Sequence, residues 1–141
     1  MYCLLDDIQT KRIPEQTLIQ LTDDDSQGGV NLTVVNESIS EADDLIDGYL
    51  RTRYPLPLQT NPPLLRRLSA TIATYLLYGR RAEFGTPERI TKDYEAAVST
   101  LRAIQRGDVQ LGVTVAEAEA PGTLLVGAPP ALFGRDKLEE Y

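Results

Sequence analysis

At 141 residues, with 42% hydrophobic and 25% charged side chains, the chain has the composition of one folded domain plus extensions and not of a disordered segment. Its net charge of -7 includes no histidine, which removes the commonest general base and the commonest metal ligand together, and a single cysteine, Cys3, excludes an internal disulfide. No apolar run approaches the roughly 18 to 20 residues that cross a bilayer, and Met1 to Asp7 lacks the basic start of a signal peptide, so the chain is expected to stay where it is made.

Leu4 to Leu21 reads as two short helical pieces separated by Pro14, which fits the first turn of a new helix but not the interior of an old one. Thr22 to Gly29 is a turn-rich loop whose Asp23, Asp24 and Asp25 lack the alternating spacing and terminal glutamate of a calcium loop. Leu32, Val35, Ile39, Ala42, Ile46, Tyr49 and Arg53 recur at alternating intervals of 3 and 4, the pattern of an amphipathic helix, and Asn31 is placed to cap it. The opposite face of that helix carries Glu37, Glu41, Asp43, Asp44 and Asp47. Pro55, Pro57, Pro62 and Pro63 then end the helix near Tyr54 and impose an extended connection.

From Pro63 to Tyr78 the segment is apolar on nearly all sides, as expected of a central helix, and it stops between Gly79 and Gly85. Thr86, Pro87 and Glu88 supply a hydroxyl cap, a proline at the first helical position and an acid in the first turn. Ile90, Tyr94, Ala97, Val98, Leu101 and Ile104 line one face of the helix they open, and Gly107 is placed to close it. Val109, Leu111, Val113 and Val115 alternate with smaller or polar residues, the period of a short strand. Beyond Ala116 the composition shifts to Ala, Glu, Pro and Gly, an extended arm. The fold class expected is therefore mainly α: a bundle of four to five helices over residues 1–107, followed by a short strand and C-terminal arm over 108–141.

Charge is distributed in blocks. Residues 1–50 hold eleven acids against Lys11 and Arg12, residues 51–107 hold ten bases against four acids, and residues 108–141 hold six acids against two bases. Opposite charge blocks in one chain suit association of identical copies head to tail, though such charges also pair within a monomer. Asp43 and Asp47, like Glu37 and Glu41, sit one helical turn apart. Without a histidine, a nucleophile or a different metal ligand nearby, these pairs read as a solvated or partner-facing surface, and no catalytic residue, metal site or cofactor is expected.

Ile46, Asp47, Gly48, Tyr49 and Leu50, followed by Arg53, Tyr54, Pro55, Leu56 and Pro57, resemble a motif of the head-to-tail joining proteins of Mu-like bacteriophages. Further matches are Leu76, Leu77 and Tyr78 before Arg80 and Arg81, then Asp93, Tyr94 and Glu95, then Gly107, and a closing run of Phe133, Gly134, Arg135, Asp136 and Leu138. The resemblance implies a structural virion protein, made in the host cytoplasm and placed in the neck. There it joins a ring of copies, dodecameric by expectation, beneath the portal protein, meets the next neck or tail protein, and lets DNA pass through the lumen without specific binding or any membrane contact. Under that reading Asp43, Asp44 and Asp47 face Arg80, Arg81, Arg102 and Arg106 of a neighbour, and reversing Asp43 and Asp47 spares the monomer. Leu124, Leu125, Val126, Leu132, Phe133, Arg135 and Leu138 form the docking arm. Gly48, in the middle of a helix, is the place for a close approach. The competing reading is a nucleic-acid-binding regulator using Arg66, Arg67, Arg80 and Arg81 in the basic stretch 51–106, against which stands the negative overall charge. A carboxylate-dependent enzyme is the third and weakest reading.

Overall fold

The computed structural model describes residues 1–113, and within them the chain is built of five α-helices. Helix α1, Leu5–Ile8, is a single turn whose Asp7 carboxylate accepts the Leu4 amide at 2.9 Å. A tight loop follows, in which Ile13 and Arg12 donate their amides to the Ile8 carbonyl, so that Ile8 and Ile13 both reach full burial. Helix α2, Glu15–Thr22, starts at Pro14 as its punctuation requires and buries Leu18 and Leu21. The Thr22 hydroxyl bonds back to the Leu18 carbonyl and accepts the Asn31 amide at 3.1 Å, which ties α2 to the start of the next helix.

Helix α3, Leu32–Leu50, opens with the Asn31 side chain accepting the Thr33 amide at 3.0 Å, the cap the sequence predicts. Its buried stripe runs through Val35, Ile39, Ala42, Ile46 and Leu50, while Leu32 is 54% exposed and Tyr49 half-buried. A heptad pattern drifts about 20° per seven residues around a straight helix, which moves the ends of the predicted stripe off the core. The helix stops at Leu50 and not near Tyr54, yet Tyr54 is buried in the turn beyond it.

Helix α4, Pro63–Gly79, is the centre of the bundle. Leu65, Leu68, Ile72, Ala73 and Leu77 are buried, and so are Ser69, Ala70 and Thr74 on its other sides, because α1, α2, α3 and α5 all pack on it. Asp43 of α3 meets Ser69, and Glu37 lies toward the Gly79 end, so α3 and α4 run antiparallel. A 3₁₀ turn, Ala82–Phe84, leads into α5, Glu88–Arg106. Pro87 holds the cap position of α5 with no side-chain cap bond, so Thr86 does not perform the capping its sequence suggests. Tyr75 of α4 stacks on Tyr94 of α5, ring centroids 4.0 Å apart and planes 12° from parallel.

Gly107 closes α5 in the left-handed region, φ 88°, with its own amide on the Ile104 carbonyl and the Asp108 amide on the Ala103 carbonyl. A Cβ there would lie 2.9 Å from Nη1 of Arg53, so the Arg53 guanidinium sits directly over the end of α5. Tyr54 beside it buries its ring and takes the Leu111 amide on its hydroxyl at 3.4 Å. The tyrosine-rich helix end is thus the junction that fastens the end of α3 to the end of α5. Residues 109–113 run through bends, with Gly112 at φ 77° and Leu111 buried against the core, and they pair with no other segment among the described residues, so the expected strand is not formed over 109–113; Val115 lies outside the described residues. A bent segment lying on a helical core covers alternate residues as a paired strand does.

Cys3 is 1% exposed, its Sγ 3.2 Å from the Ser69 hydroxyl oxygen; burial pushes its thiol up to about 11. No helix among the described residues is long and apolar enough to cross a membrane.

Candidate functional site

The predicted interface residues divide into those already used inside the chain and those left on its surface. Asp43 accepts the Ser69 hydroxyl at 2.6 Å and the Tyr2 amide at 3.0 Å, and Asp47 accepts the Tyr2 hydroxyl. Asn61 completes this clamp by donating to the Tyr2 carbonyl at 2.8 Å. Burial raises the Asp43 carboxyl above its usual range against the opposing pull of Ser69, and burial raises the Tyr2 phenol, reinforced by the Asp47 carboxylate. The two acids therefore hold the N-terminal residues and α4 onto α3, and reversing their charge acts on the monomer itself, contrary to the expectation from sequence.

Arg80 donates to Asp24 at 2.6 Å and also to the Leu21 carbonyl, and Arg81 donates to the same Asp24 at 2.8 Å. The two guanidinium groups, Arg80 first, hold the Asp24 carboxyl below its ordinary range. Asp23 in turn accepts the Gln27 and Gly28 amides at 2.7 and 2.8 Å. Two of the three loop aspartates thereby order the α2–α3 connection, and no group of three or more potential metal ligands gathers among the described residues. Arg106 is paired with Asp108 at 3.0 Å, whereas Asp44 and Arg102 are exposed and have no ion-pair partner among the described residues. The arm residues Leu124, Leu125, Val126, Leu132, Phe133, Arg135 and Leu138 lie outside the described residues.

Two surface clefts emerge that no single sequence segment announces. The first, of about 410 Å³, is basic and lies between the α1 loop and the first turns of α4 and α5; Lys11, Arg12, Arg66, Arg67 and Arg89 line it around Asp7. Asp7, almost fully buried, receives Nε of Arg66 at 2.9 Å on each oxygen, and that guanidinium holds its carboxyl below the usual range. Arg12 is half-buried, and removal from water lowers the affinity of its guanidinium for its proton. The second cleft, of about 390 Å³, lies between α3 and the far end of α4 and carries Glu37 and Glu41 beside Tyr75, Leu76, Gly79, Thr86 and the Asp24-paired Arg80. The adjacent pairs Lys11, Arg12 and Arg66, Arg67 were the one sequence signal for the basic cleft, and only the packing of α1 on α4 brings them together.

Residues 2–126 match the family model described as Bacteriophage Mu, Gp36, a span that includes the whole of the described helical bundle. The chain belongs to the Mu Gp36 family. Among its Gp36 relatives, "Gene product J" of Escherichia phage Mu is 32% identical over 105 residues, covering 72% of each chain. "Mu-like prophage FluMu protein gp36" of Haemophilus influenzae is 36% identical over 80 residues, 57% of this chain and 54% of the relative. The chain thus spans about half the length of the Haemophilus relative and 72% of the phage Mu one. The resemblance to Mu-like phage proteins drawn from the run Ile46 to Pro57 and the matches beyond it is met at the level of the family.

Proposed function

We propose that this Gp36-family protein is a structural component of the phage neck, an adaptor whose copies form a ring beneath the portal, connect capsid to tail and let DNA pass through the lumen. The family membership over residues 2–126 carries the reading. A second support is the surface itself: a small helical bundle that carries Glu37 and Glu41 in one open cleft and Arg12, Arg66, Arg67 and Arg89 in another has charged faces of both signs for a repeating contact. In this role the protein performs no chemistry. Its helices set spacing and its charged faces set neighbours, while the overall negative charge of -7 keeps it from trapping the passing phosphates.

Interrupting the gene in an otherwise intact phage tests the proposal. DNA-filled heads and complete tails should accumulate unjoined. Normal particles in normal yield would contradict the adaptor role.

The basic cleft favours one other reading, binding to nucleic acid through Arg12, Arg66, Arg67 and Arg89. Salt-dependent retention of duplex DNA by the purified protein, lost on replacing Arg67, would favour that reading over the adaptor.

A further inference from the structure

The two clefts are distinct but close: Arg66 and Arg67 stand in the first two turns of α4 and Gly79 is its last residue, while Ala70 of the basic cleft and Tyr75 of the other are five positions apart and Arg89 follows Thr86 by three. Neither Glu37 nor Glu41 has an ion-pair partner among the described residues, and neither have Arg12 and Arg67. Arg66 uses only its Nε on Asp7, and Arg89 makes a 3.3 Å pair with Asp93 while its side chain stays 68% exposed. The lack of partners at Glu37, Glu41, Arg12 and Arg67 distinguishes this surface from the charges around Asp24 and Asp43, which are satisfied within the chain.

We propose that the basic cleft built by Arg12, Arg66, Arg67 and Arg89 receives the Glu37 and Glu41 face of α3 from a second copy of the chain. Because the two patches differ, the contact is heterologous: each copy offers its Glu37 and Glu41 face to one neighbour and its basic cleft to the other. The stripe that carries Glu37 and Glu41 continues along the helix through Asp44 to Gly48, at intervals of 4, 3 and 4. Gly48, two residues before the end of α3, is exposed, and a Cβ there would touch nothing within 4 Å among the described residues, so the stripe is open to a neighbour's close approach. The pairing rests on the adaptor reading and gives it specific surfaces, replacing Asp43, Asp47, Arg80 and Arg81 as the interface charges.

Paired charge reversal in the full-length chain tests it. Glu37→Lys with Glu41→Lys makes both faces basic, and Arg67→Glu with Arg89→Glu makes both faces acidic; all four residues are exposed, so each variant should melt within about 3 °C of the wild type. Incorporation into particles, read by complementation of a gene-defective phage, should fall at least tenfold for either variant alone. It should recover when both are supplied together or when the four changes are combined in one chain, because opposite faces then meet again. Full incorporation of either variant alone, or no recovery from variants that fold, would overturn the pairing while leaving the adaptor reading intact. Absence of the wild-type chain from particles is the separate result that defeats the adaptor reading. Duplex DNA bound by the wild type and released by Arg67→Glu with Arg89→Glu would assign the cleft to nucleic acid and end the proposal.

Discussion

Removing the Asp43 carboxylate should destabilise the monomer before it affects any assembly. Asp43→Ala leaves the Ser69 hydroxyl, which is fully buried, without its 2.6 Å acceptor. Leaving a buried donor unmatched costs about 1 to 3 kcal/mol, and here the cost falls toward the lower half because the hydroxyl can still turn to the weak acceptor Sγ of Cys3 at 3.2 Å. The Tyr2 amide loses its 3.0 Å partner as well, worth about 0.5 to 1 kcal/mol at a half-buried site. Together these give about 1.5 to 3 kcal/mol. For a domain of 113 described residues, 1 kcal/mol corresponds to roughly 4 °C, so the melting temperature should drop by about 6 to 12 °C in a circular dichroism melt. Asp43→Asn keeps one acceptor oxygen and should lose about half as much. The pH dependence carries a sign. Because burial raises the Asp43 carboxyl, its ionised form is the disfavoured one in the fold, and the wild type gains stability from this site as pH falls through the raised folded value toward the ordinary one near 4. Relative to Asp43→Asn the wild type should therefore improve between pH 7 and about pH 4. A shift under 2 °C for Asp43→Ala would refute the clamp as a stabilising element.

Asp7 should behave in the opposite sense: Arg66 depresses its carboxyl, so its contribution is present above pH 4 and disappears as pH falls through the depressed folded value. Asp7→Asn should lower the melting temperature at pH 7, and the gap to wild type should shrink steadily in melts below pH 4. Gly107→Ala forces a side chain onto a backbone at φ 88° and against Arg53, for a loss of about 1 to 2 kcal/mol in a denaturant titration; Arg53→Ala should recover only the part due to crowding. Ile72→Asp places an unpaired charge at a fully buried point of α4 and should abolish the cooperative melt, while a mutant of unchanged melting temperature would reject α4 as the centre of the core.

The helices were legible because local signals agree. Asn31 caps α3, Pro62 and Pro63 start α4, and Gly107 ends α5 where its left-handed conformation is needed. Over 109–113 the expected strand is absent: period-2 burial reports one covered face and carries no information about a pairing partner. Thr86 was misread because a hydroxyl before a proline is a statistical cap, and the chain enters α5 with Pro87 in that position. The candidate surfaces were the least legible part. Charge blocks suggested two opposed faces, but Asp24 meets Arg80 and Arg81 across more than fifty positions, and Asp7 meets Arg66 across a similar span, so much of the apparent separation cancels within the fold. What survives, Glu37 and Glu41 in one cleft and Arg12 and Arg67 in the other, depends on which residues the packing leaves without ion-pair partners, and no local pattern encodes that.

The most direct measurement for the adaptor reading is a reconstruction of the neck from particles of the phage that encodes the chain. The account predicts a closed ring of copies of this helical bundle seated between portal and tail, with the Glu37 face of each copy turned toward the Arg67 face of the next and the DNA path through its centre. A neck whose density accommodates no copy of the bundle, or in which the bundle is present as isolated copies that make no contact with one another, would contradict it.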